Sequence, residues 1–202
     1  KYNKEWLIFD ISIKDFDKVE KVARYICDTK RPIIFTALPK NKVRFEFQLL
    51  AGENEQDIIN DYNLNDFISG LLMHGNYQVE RTYVHRYRGN YVSKFRSGNI
   101  FFLGDAAHQL PPFAGQGLSC GLKDATNLCW KISHLIRSEL NYKILDTYEI
   151  ERLDEVKNSI DSSIALGKLI DSLSIAFKKN TPLEEAVPPE AREQAYGTKS
   201  LT

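Results

Sequence analysis

The chain has 202 residues, 43% of them apolar, with 27 Lys and Arg against 27 Asp and Glu. That length suits one good-sized core or two small ones. Zero net charge removes the global basic field that nucleic acid or an anionic membrane would call for, and no apolar run reaches the roughly 18 residues of a membrane span.

In chain order, Trp6–Ile13 (WLIFDISI) is β-rich and bounded by charge, which predicts a strand. Phe16–Cys27 has mixed helical spacing and reads as a short helix or loop. Arg31–Glu53 is the clearest hairpin, two β-branched and aromatic runs around the polar turn Pro39–Lys42. In its second run Val43, Phe45, Phe47 and Leu49 alternate with Arg44, Glu46 and Gln48, so one face is expected buried and the other polar. Asn65–His74 predicts a helix capped by Asn65, with Phe67, Ile68, Leu71 and Leu72 on one side. Tyr77–Tyr87 alternates again, through Val79, Tyr83 or Thr82, His85 and Tyr87, an alternation that leaves the direction of His85 open. Arg81, Arg86 and Arg88 sit among aromatics there, as on a half-exposed strand rather than in a nucleic-acid groove. The sum before residue 96 is a sheet of three or four mostly antiparallel strands.

Ile100–Leu103 differs: a short continuous apolar run ending in Gly104-Asp105, the pattern of a strand buried on both faces of a parallel sheet. A helix is predicted from about Gly115–Gly117. Its expected buried face is Leu118, Leu122, Ala125, Leu128 or Cys129, Ile132 and Leu135–Ile136. A second helix is predicted over Ile144–Leu173, then a polar, loosely ordered tail. Cys27, Cys120 and Cys129 are odd in number and form no CxxC. They suit no disulfide framework and no metal site, and they favour a reducing compartment, the cytoplasm.

Residues 98–132 carry the chemistry. Asp105 follows a strand end, the edge at which open α/β sheets bind ligands, and its carboxylate can accept hydrogen bonds from sugar-alcohol hydroxyls. Gly104 leaves room for a bulky group near the backbone, and Pro111-Pro112 stiffens the next turn. Gly115 and Gly117 let N–H groups face outward at a helix start, where the dipole favours a negative ligand atom.

This block resembles the second flavin-contacting motif of the class A FAD-dependent aromatic hydroxylases, a flavoprotein monooxygenase family. Gly104–His108, Pro111–Phe113, Gly115, Gly117-Leu118, Gly121, Asp124-Ala125, Asn127-Leu128 and Trp130-Lys131 match it. The likeness is strongest to the 3-(3-hydroxyphenyl)propionate hydroxylase-like branch and covers about residues 5–172. It implies an α/β fold: part of an FAD/NAD(P)-binding Rossmann-like domain with a β-rich, mostly antiparallel substrate domain and C-terminal helices. Residues 1–96 would be the substrate domain, 97–175 the returning part of the FAD domain, and 176–202 the tail.

The resemblance also implies roles. Asp105 would bond the ribityl chain of FAD. Pro112 and Gly115 would line the isoalloxazine and substrate side. The N–H groups of Leu118 and Ser119 would meet the pyrimidine edge, and Gly104, Gln116 and Gly117 would be further cofactor-binding residues. Phe47, Gln48, His85 and Pro111 are candidates for the substrate cavity. His108 reads as an orienting residue of the turn, and no catalytic residue is assigned. The implied reaction uses NAD(P)H as reductant, O2 and a small aromatic substrate. The family's opening GxGxxG unit has no counterpart in this sequence. The expectation is therefore a partial chain that binds FAD weakly alone and needs a complementing N-terminal dinucleotide-binding polypeptide. The rival expectations are a non-catalytic remnant or interaction module, and an FAD enzyme of the same fold such as a halogenase or epoxidase.

Overall fold

The computed structural model describes residues 2–14, 16–62, 67–68, 77–138, 141–182, 185 and 187. They fall into two compact units, described in turn.

The first unit comprises Lys4–Arg86 with Leu169–Pro188. Its five-stranded sheet contains β1 (Asn3–Ile13), β2 (Ala23–Cys27), β3 (Pro32–Leu38), β4 (Lys42–Gln48) and β5 (Tyr77–Arg88), in the order β2-β3-β4-β1-β5. β1–β4, β2–β3 and β3–β4 pair antiparallel. The predicted hairpin forms. Lys40 and Asn41 turn it with left-handed φ values of 60° and 57°, a conformation Asn tolerates better than most residues. Alternate residues of three strands (Leu7, Phe9 and Ile11; Ile33 and Phe35; Val43, Phe45 and Phe47) make one apolar core with Ile58 and Ile68.

Four expectations change in this unit. Phe16–Cys27 contains only a 3-10 turn at Phe16–Lys18, and Ala23–Cys27 is a strand, because β3 offers a full antiparallel partner from Ala23↔Thr36 to Cys27↔Pro32. The polar face of β4 is covered at Glu46 and Gln48, which are buried alongside Trp6, Ile8 and Ile34. Gln48 Nε2 donates to Asp171 at 2.8 Å, so its amide is satisfied rather than solvated. The β5 alternation does not become burial: Tyr87 is buried, but Val79 and His85 are exposed, as an edge strand allows. Finally, α1 (Glu55–Tyr62) was not predicted. Asn54 Oδ1 accepts from the N–H of Gln56 at 2.9 Å, while Asp57 returns a carboxylate to the Asn54 N–H at 2.7 Å, a reciprocal cap. The helix expected at Asn65–His74 lies outside the described residues except for Phe67 and Ile68.

The second unit comprises Tyr87–Lys168 with Lys1–Asn3. The sequence reading placed the division at residues 96–97. Here β6 (Asn90–Tyr91), β7 (Arg96–Ser97), β8 (Ile100–Phe101) and β9 (His108–Gln109) form two short antiparallel pairs, β6–β9 and β7–β8. They are followed by α2 (Gln116–Ile136) and α3 (Thr147–Lys179), and α3 from Leu169 on belongs to the first unit. Phe95, Ala107, Cys120, Leu128, Tyr148, Val156 and Ile160 make its core. Among the described residues no helix is long and apolar enough to cross a membrane.

Ile100–Leu103 is corrected on three counts. Only Ile100–Phe101 is strand, its partner β7 is antiparallel, and Ile100 is 63% exposed rather than buried on both faces. The buried face of α2 shares only Leu128 with the apolar set expected. It is Cys120, Asp124, Leu128 and Lys131, while Leu118, Leu122 and Ile136 face out. Asp124 and Lys131 can go inside because each meets opposite charge there. α3 outlasts its predicted end and runs to Lys179, so the polar tail begins later than residue 176.

Candidate functional site

The site grows from two glycine-dependent turns in the second unit. Leu103 leaves the strand extended (φ −136°, ψ 154°), and Gly104 then takes φ 53°, a region costly for a residue with a Cβ. A single 3-10 turn, Gly104–Ala106, follows and closes with the Ala107 N–H donating to Gly104 O at 2.8 Å. This holds Asp105 at the apex. Its carboxylate is exposed and has no hydrogen bond or ion pair among the described residues.

The second turn runs through Pro111-Pro112. Phe113 is fully buried, edge-on to Tyr2 at 5.2 Å and to Tyr87 at 6.1 Å, and anchors the loop from below. Ala114 and Gly115 both have left-handed φ, 75° and 62°, and the Gly115 N–H donates to Pro112 O at 3.0 Å. α2 starts at once, with Gly115 as its N-cap and no side-chain cap. The first N–H groups of a helix have no partner within it, so this end presents donors and positive dipole to whatever lies in front.

The turns meet at a glycine–glycine contact. A Cβ on Gly121 would stand 3.4 Å from the Gly104 Cα, whereas one on Gly117 would meet nothing within 4 Å. The result is an open cleft of about 500 Å³ lined by Leu103, Gly104, Asp105, Gly117, Leu118, Gly121 and Leu122. Among the described residues of that lining, Asp105 is the one titratable side chain.

Behind the cleft lies a buried charged assembly. Asp124 is fully buried and accepts from the Gly104 N–H at 3.0 Å, from His108 Nε2 at 2.6 Å and from Arg152 Nε at 2.7 Å. Burial alone would raise the Asp124 carboxyl; the bonds from His108, Arg152 and Gly104 outweigh it and hold the group below its ordinary value. Lys131, also fully buried, donates to Asn127 and Glu151 at 2.8 Å each and ties α2 to α3. Hydrogen bonds from Lys131 and then Asn127 pull the Glu151 carboxyl down to about 2. The Tyr148 hydroxyl donates to Phe102 O at 2.8 Å and fastens the strand end to α3.

Of the residues singled out from sequence, Gly104, Asp105, Gly117 and Leu118 come together in the cleft. Pro112, Gly115, Gln116 and Ser119 are exposed on the adjoining turn and helix start but outside the lining, and Gln116 caps back on Ala114 O at 3.1 Å. Pro111 is buried in the same turn. The other candidates lie in the first unit. Phe47 is fully buried against Phe9 and Phe67, Gln48 points to the opposite sheet face, and His85 is exposed on β5. His108 is buried on Asp124 and does not line the cleft. Sequence reasoning missed Leu103, Gly121 and Leu122 as lining, and gave Asp124 and Arg152 no role. The available signal was the three-residue spacing Leu118–Gly121–Asp124, which stacks cleft wall, close contact and buried charge along one helix.

A family model described as FAD binding domain matches residues 6–163. The 3-(3-hydroxy-phenyl)propionate/3-hydroxycinnamic acid hydroxylase of Escherichia coli is 33% identical over 168 residues, 82% of this chain and 30% of that protein. The chain thus spans under a third of the length of the curated relatives it matches. Among solved structures, aklavinone-11 hydroxylase, determined with FAD and aklavinone, superposes with a TM-score of 0.72 at 17% identity, covering 82% of this chain and 33% of the other. The p-nitrophenol 4-monooxygenase of Pseudomonas putida superposes with a TM-score of 0.70 at 18% identity, covering 98% and 53%. The residues present fit a flavin: an unpartnered carboxylate, an uncapped helix start and apolar walls face one cleft. The chain belongs to the FAD binding domain family.

Proposed function

We propose that this chain carries the part of an FAD site that holds the isoalloxazine ring and ribityl chain in an NAD(P)H-dependent hydroxylase of small aromatic substrates. The observation that carries the reading is the cleft itself, in which the exposed Asp105 carboxylate and the uncapped start of α2 face one space. Asp105 would accept hydrogen bonds from ribityl hydroxyls. The N–H groups of Gly117, Leu118 and Ser119 would face the electron-rich edge of the ring, with the positive end of the dipole behind them. Leu103, Leu118 and Leu122 would exclude water from its flank. Bound FAD would supply the redox chemistry with O2; the chain's own part is binding, orientation and shielding. The buried Cys120, its thiol pushed up by burial, offers no nucleophile.

A complementing polypeptide that supplies a dinucleotide-binding half fits the same reading. Exposed Ile100, Leu118 and Leu122 give it apolar surface to cover, at 63%, 77% and 58% exposure. A cytoplasmic setting fits three unbridged cysteines. The test is a titration of the purified chain with FAD, followed by flavin absorbance and fluorescence, beside Asp105→Ala. Saturable binding that the substitution weakens about tenfold supports the assignment. Binding of equal strength in both proteins removes Asp105 from the site.

A further inference from the structure

We propose that Asp124 is a positioning residue for the flavin site: from behind the cleft it fixes the Gly104 turn and thereby the direction in which Asp105 points. This deepens the cofactor reading above and rests on it. The geometry is a three-way clamp on one carboxylate. Oδ2 accepts from the backbone N–H of Gly104 at 3.0 Å and from His108 Nε2 at 2.6 Å, and Oδ1 accepts from Arg152 Nε at 2.7 Å. The donors come from the turn, from β9 and from α3, so the carboxylate joins three elements.

Each donor is itself held. His108 is buried against Phe95, with ring planes 28° apart, and its Nδ1 has no partner among the described residues. The ring therefore makes one polar bond, and that bond goes to Asp124. The Arg152 guanidinium reaches Glu155 and, at 3.4 Å, the carbonyl of Cys120 one turn before Asp124. A buried carboxylate with three donors is stable in one orientation, because any rotation leaves a donor or an oxygen dry. The Gly104 amide is pinned as a result, and Asp105 is the next residue.

α2 adds the other constraint. Leu118 and Gly121 line the cleft, and Gly121 lies one turn before Asp124, in contact with Gly104. One helix thus presents cleft wall, a close backbone contact and the clamp at three-residue intervals. Asp124 has no exposure and does not line the cleft, so any effect it has on flavin must pass through the turn.

The test is a double-mutant cycle on the full chain, with riboflavin as probe because it keeps the ring and ribityl chain but lacks phosphate and adenine. The four proteins are the parent, Asp124→Asn, Asp105→Ala and the double variant. Dissociation constants come from flavin fluorescence, and Gly104 amide exchange is followed by NMR without flavin. The account expects Asp124→Asn to speed Gly104 exchange and to weaken riboflavin about tenfold in the parent, but less than about twofold when Asp105 is already Ala. A purely structural Asp124 would weaken both backgrounds equally, and that additivity overturns the inference while leaving the cofactor reading intact. Riboflavin binding that ignores Asp105→Ala, or that is absent from the parent, overturns the cofactor reading and the inference with it. If Asp124→Asn does not fold, His108→Leu replaces it in the cycle. It removes one clamp donor from an apolar surrounding, and the same non-additivity with Asp105→Ala is expected at a smaller size, about threefold.

Discussion

Gly117→Ala should move stability and flavin affinity in opposite directions. Gly117 is the second residue of α2, its φ lies outside the left-handed range, and a Cβ built on it meets no atom within 4 Å. Alanine therefore adopts the native backbone without strain or collision. It restricts the unfolded chain more than glycine does, which is worth about 0.4–1 kcal/mol to the folded form. For a chain of this size that gain raises the melting temperature by about 1–4 °C. The open space beside Gly117 is the cleft, however, and a methyl group there narrows it for a ring lying against the helix start. Overpacking of about 1–3 kcal/mol converts to a roughly 5- to 150-fold loss of flavin affinity. Thermal or urea denaturation of the flavin-free chain reads the first effect, and a flavin fluorescence titration reads the second. A fall in flavin-free stability would mean that the space is already filled by the protein. A stability gain with unchanged flavin affinity would mean that no ligand lies against this helix start, and the reasoning fails.

Gly167→Ala tests the opposite kind of glycine. Its Cβ would stand 2.5 Å from Cε2 of Phe113 and 3.0 Å from Cε2 of Tyr2, so overpacking of about 1–3 kcal/mol should outweigh a helix-propensity gain of about 1 kcal/mol; a denaturation midpoint above the parent's would refute that packing. Lys131→Ala should destabilise by at least ~2 kcal/mol, because it removes buried methylenes and the partner of Glu151, whereas Lys131→Met should stay within about 1 kcal/mol of the parent. Lys131 also sets a pH limb. Glu151 titrates near 2 when folded against 4.5 ordinarily, so its contribution is complete above pH about 4.5 and is lost as pH falls toward 2. Denaturation midpoints across pH 2–6 should show that limb shrink in Lys131→Met; an unchanged limb would place the acid sensitivity elsewhere.

What the sequence made legible was what local chemistry decides. The Arg31–Glu53 hairpin follows from alternation and a polar turn, and the start of α2 follows from Gly115 and Gly117. Ala23–Cys27 was opaque because its strand character comes from β3 rather than from its own residues, most of which are exposed. The face of α2 was misread for a related reason. Leu118 and Leu122 look like core, yet they border the cleft, while Asp124 and Lys131 look like surface and are fully buried because α3 brings Arg152 and Glu151 to meet them. Gly104, Asp105 and Gly117, singled out from the glycine-rich turns, do line one cleft, and Leu118 lines it with them. The clamp behind it depends on partners 16 to 28 residues away, which spacing alone does not reveal.

The most direct measurement is an amide-resolved NMR titration of the chain with riboflavin and, separately, with ADP. If the cleft holds the ring and ribityl end of the cofactor, riboflavin shifts the amides of residues 103–105 and 117–122, and ADP leaves them in place. Shifts at those amides caused by ADP, or a riboflavin response confined to other residues, would contradict it.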